Sequence, residues 1–210
     1  AMDAIRIENL RSLTDTGFVE LKPLTLLVGQ NSSGKSSFLR FFPLLRQSIE
    51  ARTEGPIRWY GRLVDFGSFQ EVLGRENEKR EISFHFRVGF ETVNPTIQKS
   101  SEDIASVLEK LDICLTLKLG KGRTEEESLT KVCLISYADH QVKIEFDNDR
   151  IVSAFQVNTL DVLENMDWKL YDETTGYFLP RINVRYPDVS GRIVGFKSLE
   201  ENLFNSLTSE

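Results

Sequence analysis

The sequence predicts a mixed α/β fold in which a strand–loop–helix unit near the N-terminus precedes an antiparallel β-rich portion. Three observations predict it. Residues 24–28 form a continuous apolar run that ends at a stretch rich in glycine and serine, residues 29–34. From Lys35 onward Phe38, Phe42, Leu45 and Ile49 recur at helical spacing. Beyond residue 81, apolar and polar residues alternate in one segment after another, the period of half-buried strands.

Taken in order, residues 4–10 and 17–21 read as two short strands around a polar turn. The run 24–28 reads as a buried strand, since nothing polar interrupts it. Pro43 falls inside the following helix, where a missing donor and a clash with the preceding turn cost about 3 kcal/mol and predict a kink over residues 39–43. Ile82, Phe84, Phe86, Val88 and Phe90 share one strand face, and Ile113, Leu115, Leu117 and Leu119 share another. Residues 120–128 form a charged loop, and 132–137 and 142–146 add two strands, giving antiparallel meanders. Ser101 is placed to cap a short helix with a stripe of Ile104, Leu108 and Leu111, its first turn carrying Glu102 and Asp103 where the helix dipole favours them. Ser198 and Glu201 have capping-box spacing ahead of Leu199, Leu203 and Leu207.

Composition narrows the class. With 210 residues, 40% hydrophobic and 28% charged, the chain can bury a core without staples and is neither disordered nor fibrous. No apolar stretch approaches membrane-spanning length and no signal-peptide pattern opens the chain, so a soluble, cytoplasmic protein is expected; Ala1 before Met2 reads as a tag remnant. Cys114 and Cys133 lack metal or disulfide spacing and read as packing residues. A net charge of -6 offers no general attraction to nucleic acid, although Arg40, Arg46, Arg52, Arg58 and Arg62 recur every four to six residues, as a solvated helix face or a local nucleic-acid contact.

The chemistry concentrates in Gly29-Gln30-Asn31-Ser32-Ser33-Gly34-Lys35-Ser36, which fits G-x-x-x-x-G-K-[ST] at every fixed position, between a strand pattern and a helix pattern. Glycines at 29 and 34 let the backbone turn tightly and bring its N–H groups against phosphates. Lys35 supplies a point charge for the β and γ phosphates, Ser36 a hydroxyl for magnesium, Ser37 a contact to the α phosphate, and the helix N-terminus its partial positive charge. The expected ligands are ATP and Mg2+.

The order Ile7-Glu8-Asn9-Leu10-Arg11-Ser12, some fifteen residues, then residues 26–37 resembles the N-terminus of the ABC-type ATPases related to RecF, the SMC proteins and the OLD nucleases. Its closest likeness is to prokaryotic AAA-like ATPases of anti-phage systems, such as the Septu and retron-associated ATPases. The resemblance is strong over residues 4–51 and architectural afterwards. It implies a P-loop NTPase fold of the ABC type, here an N-terminal lobe, with Arg11 and Ser12 beside the nucleotide and Asn31 shaping the loop; Asn31, Ser32 and Ser33 count with the expected nucleotide-binding residues. It further implies a glutamine that joins the magnesium and the attacking water. Residues 65–71 resemble that segment, so Gln70 is either that glutamine or an exposed loop residue.

A complete ATPase of this kind also carries an L-S-x-G signature, an apolar strand ending in Asp-Glu, and a later switch histidine. Residues 152–157 and 160–164 do not supply the acidic pair, and His85 and His140 stand too early, reading as surface residues. The expectation is the N-terminal part of a longer ATPase: residues 1–75 a P-loop core, 76–160 an antiparallel β region, 161–210 the start of a second half or insertion. The whole protein is then expected to dimerise head to head around two ATP molecules and to act on DNA or a nuclease partner. A nucleotide-binding interaction module without hydrolysis is the alternative; a small-substrate kinase is disfavoured by the β region.

Overall fold

The computed structural model describes residues 2–51, 55–74, 80–93, 108–164, 169–172, 178–180, 182–185 and 190–192. The chain opens with β1 (Met2–Leu10), β2 (Leu13–Asp15) and β3 (Val19–Glu20), followed by α1 (Lys35–Glu50) and the single turn α2 (Phe69–Val72). Then come β4 (Ile82–Val93), β5 (Leu108–Lys121), β6 (Ser128–Tyr137), β7 (His140–Phe146), β8 (Val152–Val157) and β9 (Leu160–Asp161). The short strands β10 (Lys169–Asp172), β11 (Ile182–Arg185) and β12 (Ser190–Arg192) follow.

One antiparallel sheet organises the fold. Its order is β2-β1-β4-β5-β6-β7-β8-β9, with β3 also pairing β1, and β10-β11-β12 make a second, smaller sheet. From β4 to β9 each strand pairs with its neighbour in sequence, the meander that period-two runs and short turns predict. Because side chains alternate across a strand, Ile82, Phe84, Phe86, Leu115, Leu117 and Leu119 all fall on one face and are fully buried. Helix α1 packs there: the Phe41 ring lies 4.7 Å from that of Phe84, and Phe38, Leu44 and Leu45 share its buried face. Phe42 and Ile49 of the expected stripe are only half-buried, and α1 is a single helix across Pro43.

A buried side chain shapes the loop after α1. Gln47 donates from Nε2 to the Arg58 and Val64 carbonyls, at 2.7 and 3.1 Å, and accepts at Oε1 from the Leu63 and Val64 N–H groups, at 3.2 and 3.1 Å. A methyl group at Gly61 would meet Gln47 Oε1 at 2.6 Å, so glycine is needed where the loop passes over the amide.

Four expectations change. Residues 24–28 are not a strand: Leu24, Leu26 and Val28 are 77%, 77% and 90% exposed, and only Leu27 packs against the core. Leu108 and Leu111 belong to β5, paired with Val93 and Phe90, because extending the β4–β5 ladder satisfies more backbone groups than a separate helical turn; Ser101 and Ile104 lie outside the described residues, as do Ser198 and Glu201. The arginines form no single helix face: Arg40 and Arg46 lie on α1, Arg58 and Arg62 in the loop beyond it, and Arg52 is outside the described residues. His85 is no simple surface residue, being held between Thr116 Oγ1 at 2.8 Å and Glu8 Oε2 at 3.1 Å with its side chain 14% exposed; His140 is exposed.

Both cysteines are free, Cys133 buried and Cys114 half-buried on adjacent strands. Among the described residues no helix is long and apolar enough to cross a membrane.

Candidate phosphate-binding site

The glycine-rich loop leads directly into α1. Gly34 is the N-cap, with φ 92°, and its carbonyl accepts the first helical bond from Phe38 N at 2.9 Å. Only glycine adopts this left-handed conformation without cost, and here a side chain would also overlap Leu13 Cδ2 and sit 3.3 Å from Ser12 Oγ. The close approach therefore fixes two things together: it excludes every other residue at position 34, and it brings the Arg11–Ser12 turn against the loop.

Since Gly34 offers no side-chain cap, the first N–H groups of α1, those of Lys35, Ser36 and Ser37, lie at the positive end of the helix dipole without intrahelical partners. The Lys35 ammonium folds over the loop, donating to the carbonyls of Gly29 at 2.7 Å and Gln30 at 2.5 Å and to Ser33 Oγ at 3.3 Å. Ser33 N in turn donates to the Gln30 carbonyl at 3.4 Å, closing a tight turn in which Ser32 has a left-handed φ of 65°. Asn31, Ser32 and Ser36 are exposed at its rim, and Ser37 is half-buried. A cation held over the loop and open helix N–H groups are features that can attract an anion.

Arg11 follows β1 in the turn, with φ 53°, and donates from Nη2 to the Phe66 carbonyl at 3.0 Å, while its guanidinium stacks 4.6 Å over the Phe66 ring. Burial, and next the like charge of Arg40, lower its pKa below the usual guanidinium value. Gln70 is not drawn to the loop by its own contacts: it is exposed on α2, its Oε1 accepts from Arg80 Nη2, and its N–H donates to the Glu125 carbonyl at 3.4 Å. Sequence reasoning overlooked Leu13, the apolar wall against Gly34; it counted Arg40 only among the recurring arginines, whereas the Arg40 guanidinium, on α1, donates to the Asp65 carbonyl at 2.6 Å. Arg40 stands four residues after Ser36 on α1, and that spacing was a readable signal.

The family model described as AAA ATPase domain matches residues 2–174, most of the chain. The chain belongs to that family. No curated protein and no solved structure matches it.

An AAA ATPase domain implies ATP and usually a divalent metal, and the residues present fit both. The Lys35 charge and the open N–H groups of the first turn of α1 suit a polyphosphate. Among the described residues no group of three or more His, Cys, Asp or Glu could hold a metal ion. A magnesium ion carried by phosphates needs only one or two protein oxygens, and the exposed Ser36 hydroxyl in the first turn of α1 is of the right kind.

Proposed function

We propose that this AAA ATPase domain is an ATP-binding lobe of the ABC type that grips Mg-ATP through a Walker A loop at residues 29–36. The observation that carries the reading is Gly34, left-handed and pressed on Leu13, placing Lys35 and the open α1 N-terminus at one loop. In this reading Lys35 faces the β and γ phosphates, and Ser36 holds the metal with Gln70 as its second protein oxygen. Ser37 and the loop amides of Asn31, Ser32 and Ser33 line the phosphates, and Arg11 and Ser12 flank the nucleotide. A metal held there would supply charge neutralisation to the phosphates.

Lys35→Ala tests the loop, since it removes the charge while leaving the core intact: calorimetry is expected to show ATP affinity lost with the melting temperature unchanged. Equal affinity in both proteins sinks the reading.

The complete assembly that this lobe serves is a cytoplasmic ATP-driven switch in DNA repair or anti-phage defence, closing head to head on two nucleotides and acting on DNA or a nuclease partner. Binding and hydrolysis separate here. Phosphoryl transfer depends on a positioned water and on charge stabilisation around the γ phosphate, and each missing group is worth about 3 kcal/mol, or a factor of 100 or more. Residues 1–210 are therefore expected to bind ATP and release phosphate negligibly. Turnover abolished by Lys35→Ala would instead mean that a catalytic base lies within the chain.

A further inference from the structure

Two arginines meet on one buried ring where α1 and the β1–β2 turn approach the segment before α2. Arg40 Nη2 donates to the Asp65 carbonyl at 2.6 Å and Arg11 Nη2 to the Phe66 carbonyl at 3.0 Å. The two guanidiniums lie 5.1 and 4.6 Å from the centroid of Phe66, which is 1% exposed. Each contact joins a cation to a π face and a carbonyl together, which a planar guanidinium does and an ammonium does not.

Downstream of this clamp the chain is braced at every step. The Asp65 carboxylate accepts from Gly67 N at 2.7 Å, and a side chain at Gly67, φ 80°, would overlap Glu71 Oε2. Ser68 and Glu71 close a capping box that starts α2. The N–H groups of Phe69 and Gln70 donate to the Glu126 and Glu125 carbonyls, at 3.3 and 3.4 Å, in the turn between β5 and β6. A hydrogen-bonded path thus runs from the second turn of α1, beside the loop, to the tip of the β5–β6 hairpin.

The two arginines also oppose each other. Like charges facing one ring repel, and an anion at the Arg11–Ser12 turn offsets that repulsion, so that both guanidiniums hold the Asp65 and Phe66 carbonyls more tightly.

We propose that Arg40 is a positioning residue that ties residues 65–72 to α1 and carries the nucleotide state of the loop to the β5–β6 turn. The inference rests on the nucleotide-binding reading and adds the route by which binding is felt elsewhere.

Amide hydrogen exchange over residues 65–72 and 125–127, with and without Mg-ATP, tests it in the whole chain. In the wild type ATP slows exchange there about tenfold, the weight of one hydrogen bond to a charged group. Arg40→Ala leaves ATP affinity within about threefold and reduces that slowing to less than about twofold. A merely structural role would raise the exchange without ATP and leave the ATP-dependent difference in place. Arg40→Lys keeps the charge and the stem and loses the planar fork, and it is expected to lose at least about half of the slowing; it serves also if Arg40→Ala does not fold. The inference is overturned if the variants slow as the wild type does, or if the wild type binds ATP with no change in these amides. A wild type that does not bind ATP brings down the nucleotide-binding reading itself, and the inference with it.

Discussion

The meander from β4 to β8 and the stretch from residue 22 to residue 34 are held by different means. β4 pairs with β5 along its whole length, from Ile82↔Leu119 to Val93↔Leu108, and one face of that ladder is closed by Phe41 and its neighbours on α1. The loop stretch is held by short local bonds, Lys22 N to Thr25 Oγ1 and Ser33 N to the Gln30 carbonyl, and by the folded-over Lys35 ammonium. Stability is thus a property of the sheet and the buried face of α1, whereas the proposed nucleotide binding would be a property of a loop whose shape depends on one glycine and one lysine. The two can be broken separately.

The largest effect is expected in the sheet. Phe84→Ala empties a fully buried position against Phe41 and is expected to cost about 3–5 kcal/mol in denaturant unfolding, while the protein that remains folded binds ATP as before. Coupled loss of affinity in that folded fraction would join what the comparison separates. Gly34→Ala sits at the border. Strain at φ 92° and overlap with Leu13 are expected to cost about 1–3 kcal/mol in stability, with affinity for ATP falling at least about a hundredfold. A fall in stability without a fall in affinity would show that the loop adapts.

A smaller effect lies where β1 and β2 meet. The Arg6 guanidinium, donating to both Asp15 carboxylate oxygens, and then the Gly17 N–H, hold the Asp15 carboxyl down at about 2 against an ordinary 3.8. The folded value lies below the unfolded one, so this contribution is complete above the unfolded pKa and is lost as pH falls through about 2. Asp15→Asn is therefore expected to flatten the loss of stability between pH 4 and 2 slightly, by less than about 1 kcal/mol because the pair is half-exposed, and an unchanged acid profile would contradict the pair. The smallest effect is chemical. Burial, and then the charge of Asp172, push the Cys133 thiol up to about 12, so at pH 8 it is expected to resist a thiol reagent until the sheet unfolds.

What was legible followed from period and chemistry. Alternation announced the buried face that Ile82, Phe84, Phe86, Val88, Leu115, Leu117 and Leu119 form, and the spacing of Gly29, Gly34, Lys35 and Ser36 announced a loop at a helix N-terminus. Residues 24–28 were misread because a continuous apolar run argues for burial without naming a partner, and no described strand pairs with them. Leu108 and Leu111 suited a helical stripe by spacing, yet strand pairing with β4 decided the matter. Arg40 and Phe66 could not be joined from sequence, since they lie 26 residues apart on elements whose meeting depends on the whole core.

Gln47 is a template written in a single side chain. Its amide offers two donors and two acceptor lone pairs, and the loop from Arg58 to Val64 consumes both donors and two acceptor positions. Glutamate at that reach could only accept while ionised, and lysine or arginine could only donate, so neither can reproduce the pattern. Gly61 is bound to the same constraint, because the backbone crosses the amide too closely for a side chain. Positions 47 and 61 are therefore coupled by geometry: a change at either one disturbs the same crossing of loop and amide.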